Sequence, residues 1–232
     1  MIAQFIGLGY IGLPTAAVVA QHRIYVHGVD VNPKVVETIN KGEIHILEPG
    51  LEDMVKEGVE NGYLKASLEP IEADIHLIVV PTPFKGNHEP DISFVEAGTR
   101  AVLPFIKEGD TFIIESTSPV GTTEKMAELI FRERPELKDK IYIAYCPERV
   151  LPGNVLHELI YNDRSIGGIN YASTQKAIEE GKDILSSSVV LEQVVERKRV
   201  GDTDIGEDLK VQIKDLEMLL AAYRKGIIKE QR

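Results

Sequence analysis

The chain has 232 residues, of which 43% are hydrophobic and 27% charged, a composition typical of a soluble globular protein with one large domain, with or without an appendage. Its formal net charge of -11 argues against a nucleic-acid partner, because neutralising phosphates requires clustered Lys and Arg. We expect no membrane span, since no apolar run reaches the roughly 18 residues that one requires. We also expect a cytoplasmic location, because the single Cys146 excludes an intrachain disulfide and no signal peptide is evident.

The first predicted elements surround a G-x-G-x-x-G pattern, Gly7-Leu8-Gly9-Tyr10-Ile11-Gly12, which we call the glycine turn. An apolar strand over residues 2–6 precedes it, and an Ala- and Val-rich helix over residues 13–20 follows it. In this context Gly7 permits a sharp turn, Gly9 leaves room for a diphosphate, and Gly12 lets helix and strand pack closely. The unpaired N–H groups and the positive end of the helix would then face the phosphates.

A second predicted strand, residues 24–29, ends at Asp30, eighteen residues after Gly12. A carboxylate at the tip of this strand suits the ribose hydroxyls of NAD and would repel a 2′-phosphate. The pattern therefore predicts an NAD site built from the glycine turn and Asp30. The strand context and the acid together disfavour the alternative, a glycine-rich turn in some other α/β protein.

Strand and helix patterns alternate until about residue 170, which predicts an α/β fold: a Rossmann-like, doubly wound parallel sheet with helices on both faces. Further strands are predicted at residues 74–80, 111–115, 141–145 and 164–168, and further helices at residues 35–40, 51–59, 93–106 and 123–132. We assign residues 1–170 to this NAD-binding domain.

Residues 171–232 are predicted to form a C-terminal helical segment. It comprises a helix over residues 173–185 interrupted at Gly181, a short strand ending at Val190, and a long helix over residues 205–228 whose apolar side chains form one stripe. Either this stripe packs on its own domain or it is the seam of a dimer. We predict a homodimer.

Ligands of an open parallel sheet bind at the carboxyl ends of its strands, and three predicted strand ends carry polar residues. Thr82 stands between two prolines after one strand, and the hydroxyls of Ser116 and Thr117 follow the next. Glu148 follows the third and could orient a water or take a proton, while Arg149 could pair with it or reach an anionic substrate. The simpler alternatives are a rigid turn, a helix cap and a structural ion pair.

Several stretches resemble the N-terminal, NAD-binding part of the UDP-glucose/GDP-mannose dehydrogenase family, over about residues 1–178. They are the glycine turn continued to Thr15 and the segments at residues 42–49, 80–91, 115–121, 145–153 and 162–168. The resemblance implies oxidation of the C6 alcohol of a nucleotide sugar to the carboxylate by two NAD⁺ in succession, in polysaccharide precursor synthesis. The loops at residues 84–88 and 146–153 favour UDP-N-acetyl-D-mannosamine, with UDP-N-acetylglucosamine and UDP-glucose as the alternatives.

The resemblance also implies a role for each candidate site residue. The cofactor-binding residues would be Gly7, Gly9, Tyr10, Ile11, Gly12, Asp30, Thr82, Ser116 and Thr117. The catalytic residues would be Thr117 and Glu148, of which Glu148 manages protons and water. The sugar would contact Arg149, Val150, Leu151, Pro152 and Gly153. No metal ligand is assigned.

The chain also departs from the family. The resemblance predicts an active-site lysine and asparagine, a Gly-Gly-x-Cys segment that supplies the nucleophile, and a UDP-binding domain, none of which is visible in the sequence. The second oxidation requires a thiol, and the only one, Cys146, matches a non-nucleophilic position of the family. The competing hypothesis is therefore a truncated or designed NAD-binding module without turnover.

Overall fold

The computed structural model describes residues 1–86, 89–148, 150, 153–162, 164–185 and 190–192, the last group and residues 182–185 by their backbone alone. The chain divides into two compact units, Met1–Val195 and Glu196–Arg232. The second unit lies outside the described residues, and so does the long helix predicted at residues 205–228. The domain boundary at residue 170 stays a prediction.

The strands of the first unit are short and mostly apolar. They are β1 Ile2–Ile6, β2 Tyr25–Val29, β3 Leu64–Ser67, β4 Ile75–Ile78, β5 Phe84–Lys85, β6 Glu89–Pro90, β7 Thr111–Ile114, β8 Tyr142–Tyr145, β9 Arg164–Gly168 and β10 Val190–Glu192. The helices are α1 Gly12–Gln21, α2 Pro33–Asn40, α3 Leu51–Glu60, α4 Ser93–Val102, α5 Thr122–Glu133, α6 Val155–Tyr161 and α7 Tyr171–Leu185.

Eight of the described strands form one sheet in the order β10-β9-β8-β7-β4-β1-β2-β3, and β5 and β6 form a separate hairpin. Neighbouring strands of the sheet are parallel, except that β9 runs antiparallel to β8. The Rossmann-like sheet is confirmed, and its direction at β9 is a correction to the fully parallel prediction. Arg164, the first residue of β9, contacts Glu115 just beyond the end of β7. β9 thus begins at the carboxyl edge of the sheet, where β8 ends. Because the chain does not return to the amino edge between the two strands, β9 runs antiparallel to β8.

Side chains of the central strands alternate between two apolar layers. Leu77 and Ile113 join the core that includes α1 and α3, whereas Ile78 and Ile114 join the core that includes α4 and α5. All four are at most 7% exposed. Strands buried on both faces must be apolar throughout, and this requirement explains why the sequence pattern identified them.

Other differences concern short or weakly patterned elements. The sequence reading missed β3, α6 and the β5–β6 hairpin. It also placed a break at Gly181, whereas α7 continues through this residue. A Cβ at Gly181 would lie 3.4 Å from Cδ1 of Ile166, an ordinary van der Waals contact, so the packing of α7 on β9 does not require glycine here. The helix therefore tolerates the cost of about 1 kcal/mol that a helical glycine carries. Within the described residues, we find no helix with the length and apolar character of a membrane span.

Candidate functional site

The glycine turn follows β1, which has β2 on one side and β4 on the other. The strand order therefore reverses at this point of the sheet. Ligands of open α/β sheets bind in the crevice at this point. Gly7 has a φ of 100°, and a Cβ added to it would lie 2.3 Å from the carbonyl oxygen of Val79. A Cβ on Gly12 would lie 1.9 Å from the carbonyl oxygen of Gly7. A Cβ at either position would therefore force the backbone to shift.

Gly9 is a glycine for a different reason. A Cβ built on it meets no protein atom within 4 Å, so the space in front of it is open. The backbone N–H groups of residues 9–12 have no carbonyl acceptor in the described part of the chain, whereas the N–H of Leu13 donates to the carbonyl of Gly9 at 3.1 Å. Open space lined by unpaired donors at the beginning of α1 fits the diphosphate of a dinucleotide.

Asp30 closes the glycine turn from the tip of β2. Its Oδ2 accepts a hydrogen bond from the N–H of Leu8 at 3.1 Å, and its Oδ1 accepts one from the N–H of Asn32 at 2.9 Å. A carboxylate can accept about four hydrogen bonds, so this partly exposed group has capacity for ribose hydroxyls. It also helps to hold the turn in shape.

Ser116, Thr82 and Thr117 meet at the ends of β4 and β7. The buried hydroxyl of Ser116 accepts from the N–H of Val80 at 2.9 Å and donates to the carbonyl of Val80 at 2.8 Å. The hydroxyl of Thr82 donates to the carbonyl of Thr117 at 2.7 Å. Two of the three predicted hydroxyls are thus engaged in joining neighbouring loops, and the side chain of Thr117 is exposed. Their contacts with a cofactor stay a prediction.

A buried guanidinium joins two carboxylates beside this edge, and we call Glu115, Glu148 and Arg164 the ionic cluster. Nη1 of Arg164 donates to Oε1 of Glu115 at 2.9 Å. Its Nη2 lies 2.6 Å from Oε1 of Glu148, a close ion pair without the angle of a hydrogen bond. All three side chains are at most 10% exposed. Glu148, predicted to be catalytic, therefore has a partner from β9, and Arg149 lies outside the described residues.

Burial and the paired charges act in opposite directions on the pKa values of Glu115 and Arg164. Burial raises the pKa of Glu115, against the lowering effect of Arg164. Burial opposes the charge of Arg164, but Glu115, Cys146 and Glu148 more than compensate, and the pKa of its guanidinium is raised. The cluster thus carries one permanent cation between two acids.

Cys146 borders the ionic cluster, with Sγ 3.8 Å from Nη1 of Arg164. The side chain is buried, and burial raises the pKa of its thiol from 9.0 to about 11, although Arg164 lowers it in part. A thiol reacts as its thiolate, so this environment makes Cys146 a poor nucleophile. The structure therefore supports the non-nucleophilic position that the sequence indicated.

The predicted sugar-binding segment is only partly described. Arg149, Leu151 and Pro152 lie outside the described residues, and Val150 packs, partly buried, against the core. The N–H of Gly153 donates to the hydroxyl of Tyr10 at 2.9 Å, so the end of this segment contacts the glycine turn.

Sequence reasoning missed three site residues: Glu48, Glu115 and Arg164. Each lies inside one of the stretches that carried the family resemblance, and this was the signal available. Their partners are distant in the chain, 49 residues apart for Glu115 and Arg164. The described residues contain no group of three His, Cys, Asp or Glu side chains arranged to bind a metal ion.

Comparison with known proteins gives the family. The model of the UDP-glucose/GDP-mannose dehydrogenase family, NAD binding domain, matches residues 1–184. The chain belongs to this family. The resemblance drawn from the sequence is confirmed, and so is NAD as the cofactor of the domain. A second model, of Firmicute fructose-1,6-bisphosphatase, matches residues 153–225, less than half of the chain.

Individual relatives agree with the family. UDP-N-acetyl-D-mannosamine dehydrogenase of Escherichia coli (strain K12) is 54% identical over 194 residues, 80% of this chain and 46% of that protein. NDP-N-acetyl-D-galactosaminuronic acid dehydrogenase of Ralstonia nicotianae is 50% identical over 180 residues, 74% of this chain and 43% of that protein. The structure of the UDP-N-acetyl-mannosamine dehydrogenase Cap5O from Staphylococcus aureus has a TM-score of 0.80 at 32% identity, covering 98% of this chain and 54% of that one. The chain spans about half the length of the curated relatives it matches.

Proposed function

We propose that this chain is the cofactor-binding part of an NAD-dependent dehydrogenase that oxidises the C6 alcohol of UDP-N-acetyl-D-mannosamine to the carboxylate, for polysaccharide precursor synthesis. The observation that carries the proposal is that one sheet edge holds both the glycine turn and a carboxylate, Glu148, fixed by Arg164. The 54% identity to a UDP-N-acetyl-D-mannosamine dehydrogenase supports the choice of substrate.

The cofactor role divides among residues at the carboxyl edge. The glycine turn would bind the diphosphate through the N–H groups of residues 9–12, and Asp30 would bind the adenosine ribose. Thr82, Ser116 and Thr117 would line the nicotinamide side. NAD⁺, when bound there, supplies the acceptor for a hydride.

The substrate role rests on Glu148 and the segment that ends at Gly153. As hydride leaves C6, a proton leaves O6, and a nearby group must take that proton or hold the water that takes it. The carboxylate of Glu148 is the proposed group, and its ion pair with Arg164 fixes its position. Arg149, Val150, Leu151, Pro152 and Gly153 would contact the sugar.

The second oxidation, from aldehyde to acid, requires a nucleophilic thiol. Cys146 is a poor candidate because burial keeps its thiol protonated. We therefore expect this chain alone to release one NADH per sugar rather than two. A homodimer, predicted from the apolar stripe of residues 205–228, and a cytoplasmic location, predicted from the single cysteine, are parts of the same proposal.

The test is to add NAD⁺ to the purified chain, measure binding by calorimetry, and then follow NADH formation with UDP-N-acetyl-D-mannosamine, UDP-N-acetylglucosamine and UDP-glucose. We expect binding, and NADH formation fastest with the mannosamine sugar. Glu148→Gln should lose turnover but keep NAD⁺ affinity. NAD⁺ binding without NADH from any sugar would identify a cofactor-binding module, and two NADH per sugar would reveal a thiol route. A chain that does not bind NAD⁺ would refute the proposal.

A further inference from the structure

Glu48 is a buried carboxylate that the proposed chemistry does not use. It lies in the loop between α2 and α3 and is 6% exposed. Its Oε2 accepts hydrogen bonds from the hydroxyl of Tyr10 at 3.0 Å and from the N–H of Gly153 at 3.2 Å. Its Oε1 accepts one from the N–H of Val155 at 2.7 Å. Burying a carboxylate among neutral donors is costly unless its hydrogen bonds are made, so these bonds fix its position.

These bonds connect two parts of the site that are far apart in the chain. Tyr10 belongs to the glycine turn, and Gly153 ends the predicted sugar-binding segment, 143 residues later. The N–H of Gly153 is shared between the Tyr10 hydroxyl and Glu48. Burial, and less strongly the Glu48 carboxylate, raise the pKa of the Tyr10 phenol against the opposing bond from Gly153. The phenol therefore stays a donor to Glu48 at neutral pH.

A simpler role for Glu48 would be to cap α6. The side chain of the N-cap residue Asn154 makes no capping hydrogen bond and instead donates to Oε1 of Glu158 at 3.3 Å, so Glu48 supplies the acceptor for the first N–H, that of Val155. The cap alone, however, requires neither the bond from Tyr10 nor the shared bond from Gly153.

We infer that Glu48 is a positioning residue that couples the glycine turn to Gly153 and the beginning of α6, so that cofactor binding stabilises the backbone at residues 153–158. The inference rests on the proposed function, since it takes the glycine turn to be the NAD site. A ligand that fixes the turn also fixes Tyr10, and Tyr10 with Glu48 then restricts opening at Gly153 and Val155. The coupling is reciprocal: whatever stabilises Gly153 and the beginning of α6 also favours NAD binding.

The experiment is hydrogen–deuterium exchange of the full chain with and without saturating NAD⁺. Tyr10→Phe removes the link to the glycine turn but leaves Glu48 to cap α6. Glu48→Gln removes the charge and keeps the shape. Tyr25→Phe is the matched control, because it also removes a phenolic hydroxyl. Tyr25 is the first residue of β2 and so lies at the amino ends of the strands, away from the glycine turn at their carboxyl ends.

In the unmodified chain and in Tyr25→Phe, we expect NAD⁺ to slow exchange at residues 153–158 by about fivefold or more, the lower end of typical coupling between sites. In Tyr10→Phe and Glu48→Gln, this slowing should be lost while residues 7–12 are still protected by NAD⁺. Equal slowing in Tyr10→Phe and the unmodified chain would overturn the inference and leave Glu48 as a helix cap. Protection of residues 7–12 with no change at residues 153–158 would overturn the coupling alone, whereas no protection at either would refute the NAD site and the coupling with it.

Discussion

Removing the guanidinium of Arg164 tests whether the ionic cluster holds this edge of the sheet together. Arg164→Met keeps much of the side-chain volume but leaves Glu115, which is 2% exposed, without its cation. Removing one partner of a buried ion pair typically costs about 3–5 kcal/mol. The free energy of unfolding of a domain is only about 5–15 kcal/mol, so the loss should be easily measured.

The size of the loss should depend on pH, because Glu115 can escape its unpaired charge by binding a proton. Burial raises the pKa of Glu115 above the ordinary 4.5 in the folded state. Glu115 therefore favours the folded variant at low pH and destabilises it as the pH rises. Keeping Glu115 protonated in the folded variant costs about 1.4 kcal/mol for each pH unit above that ordinary value, so the contribution of Glu115 to the loss cannot exceed about 2 kcal/mol at pH 6 and about 5 kcal/mol at pH 8. We therefore expect Glu115 to contribute a loss of about 2 kcal/mol at pH 6 and about 3–5 kcal/mol at pH 8.

The assay is urea unfolding at both pH values, followed by far-ultraviolet circular dichroism because the chain has no tryptophan. Arg100→Met is the control: Arg100 pairs with Glu96 and Glu133 on the surface with 44% of its side chain exposed, and its loss should cost less than about 1 kcal/mol at either pH. The double variant Glu115→Gln with Arg164→Met should lose the part of the pH dependence that Glu115 contributes, since glutamine does not ionise. A loss below about 1 kcal/mol at pH 8, or an equal loss at both pH values, would refute the reasoning.

Three further predictions concern the glycine turn, Asp30 and Cys146. Gly9→Ala should change the free energy of unfolding by no more than about 0.5 kcal/mol, because the added Cβ meets no protein atom. It should nevertheless weaken NAD⁺ binding, measured by calorimetry, at least about tenfold. Gly12→Ala should weaken NAD⁺ binding and also lower the free energy of unfolding by about 1–3 kcal/mol. Equal stability losses would contradict this. Asp30→Ala should weaken NAD⁺ binding about tenfold or more, through the lost ribose contact and the lost acceptor for the turn, and unchanged affinity would remove Asp30 from the site. Cys146 should react with a disulfide reagent at pH 8 about a hundredfold more slowly in the folded than in the unfolded chain, because burial raises the pKa of its thiol from 9.0 to about 11. Equal reaction rates would mean that the folded thiol is accessible and ionised.

Local patterns were sufficient to predict most residues of the candidate cofactor site. The glycine turn, its flanking strand and helix, and Asp30 lie within the first thirty residues, and each is recognised by a steric or electrostatic requirement of its own neighbourhood. Ser116 and Thr82 were also found as hydroxyls at strand ends. Their bonds to neighbouring loops, however, depend on β4 and β7 being adjacent in the sheet.

Amino-acid order alone determined the α/β class, because strands buried on both faces must be apolar and the helices between them amphipathic. It did not determine the direction of β9, the pairing of Glu148 with Arg164, or the contacts of Glu48 with Tyr10 and Gly153. Those features join residues that are not neighbours in the chain, from 16 positions apart for Glu148 and Arg164 to 143 for Tyr10 and Gly153. A charged residue carries no local sign of its future partner, so only the packed sheet, which brings the carboxyl ends of its strands to one edge, could select among the possible pairs.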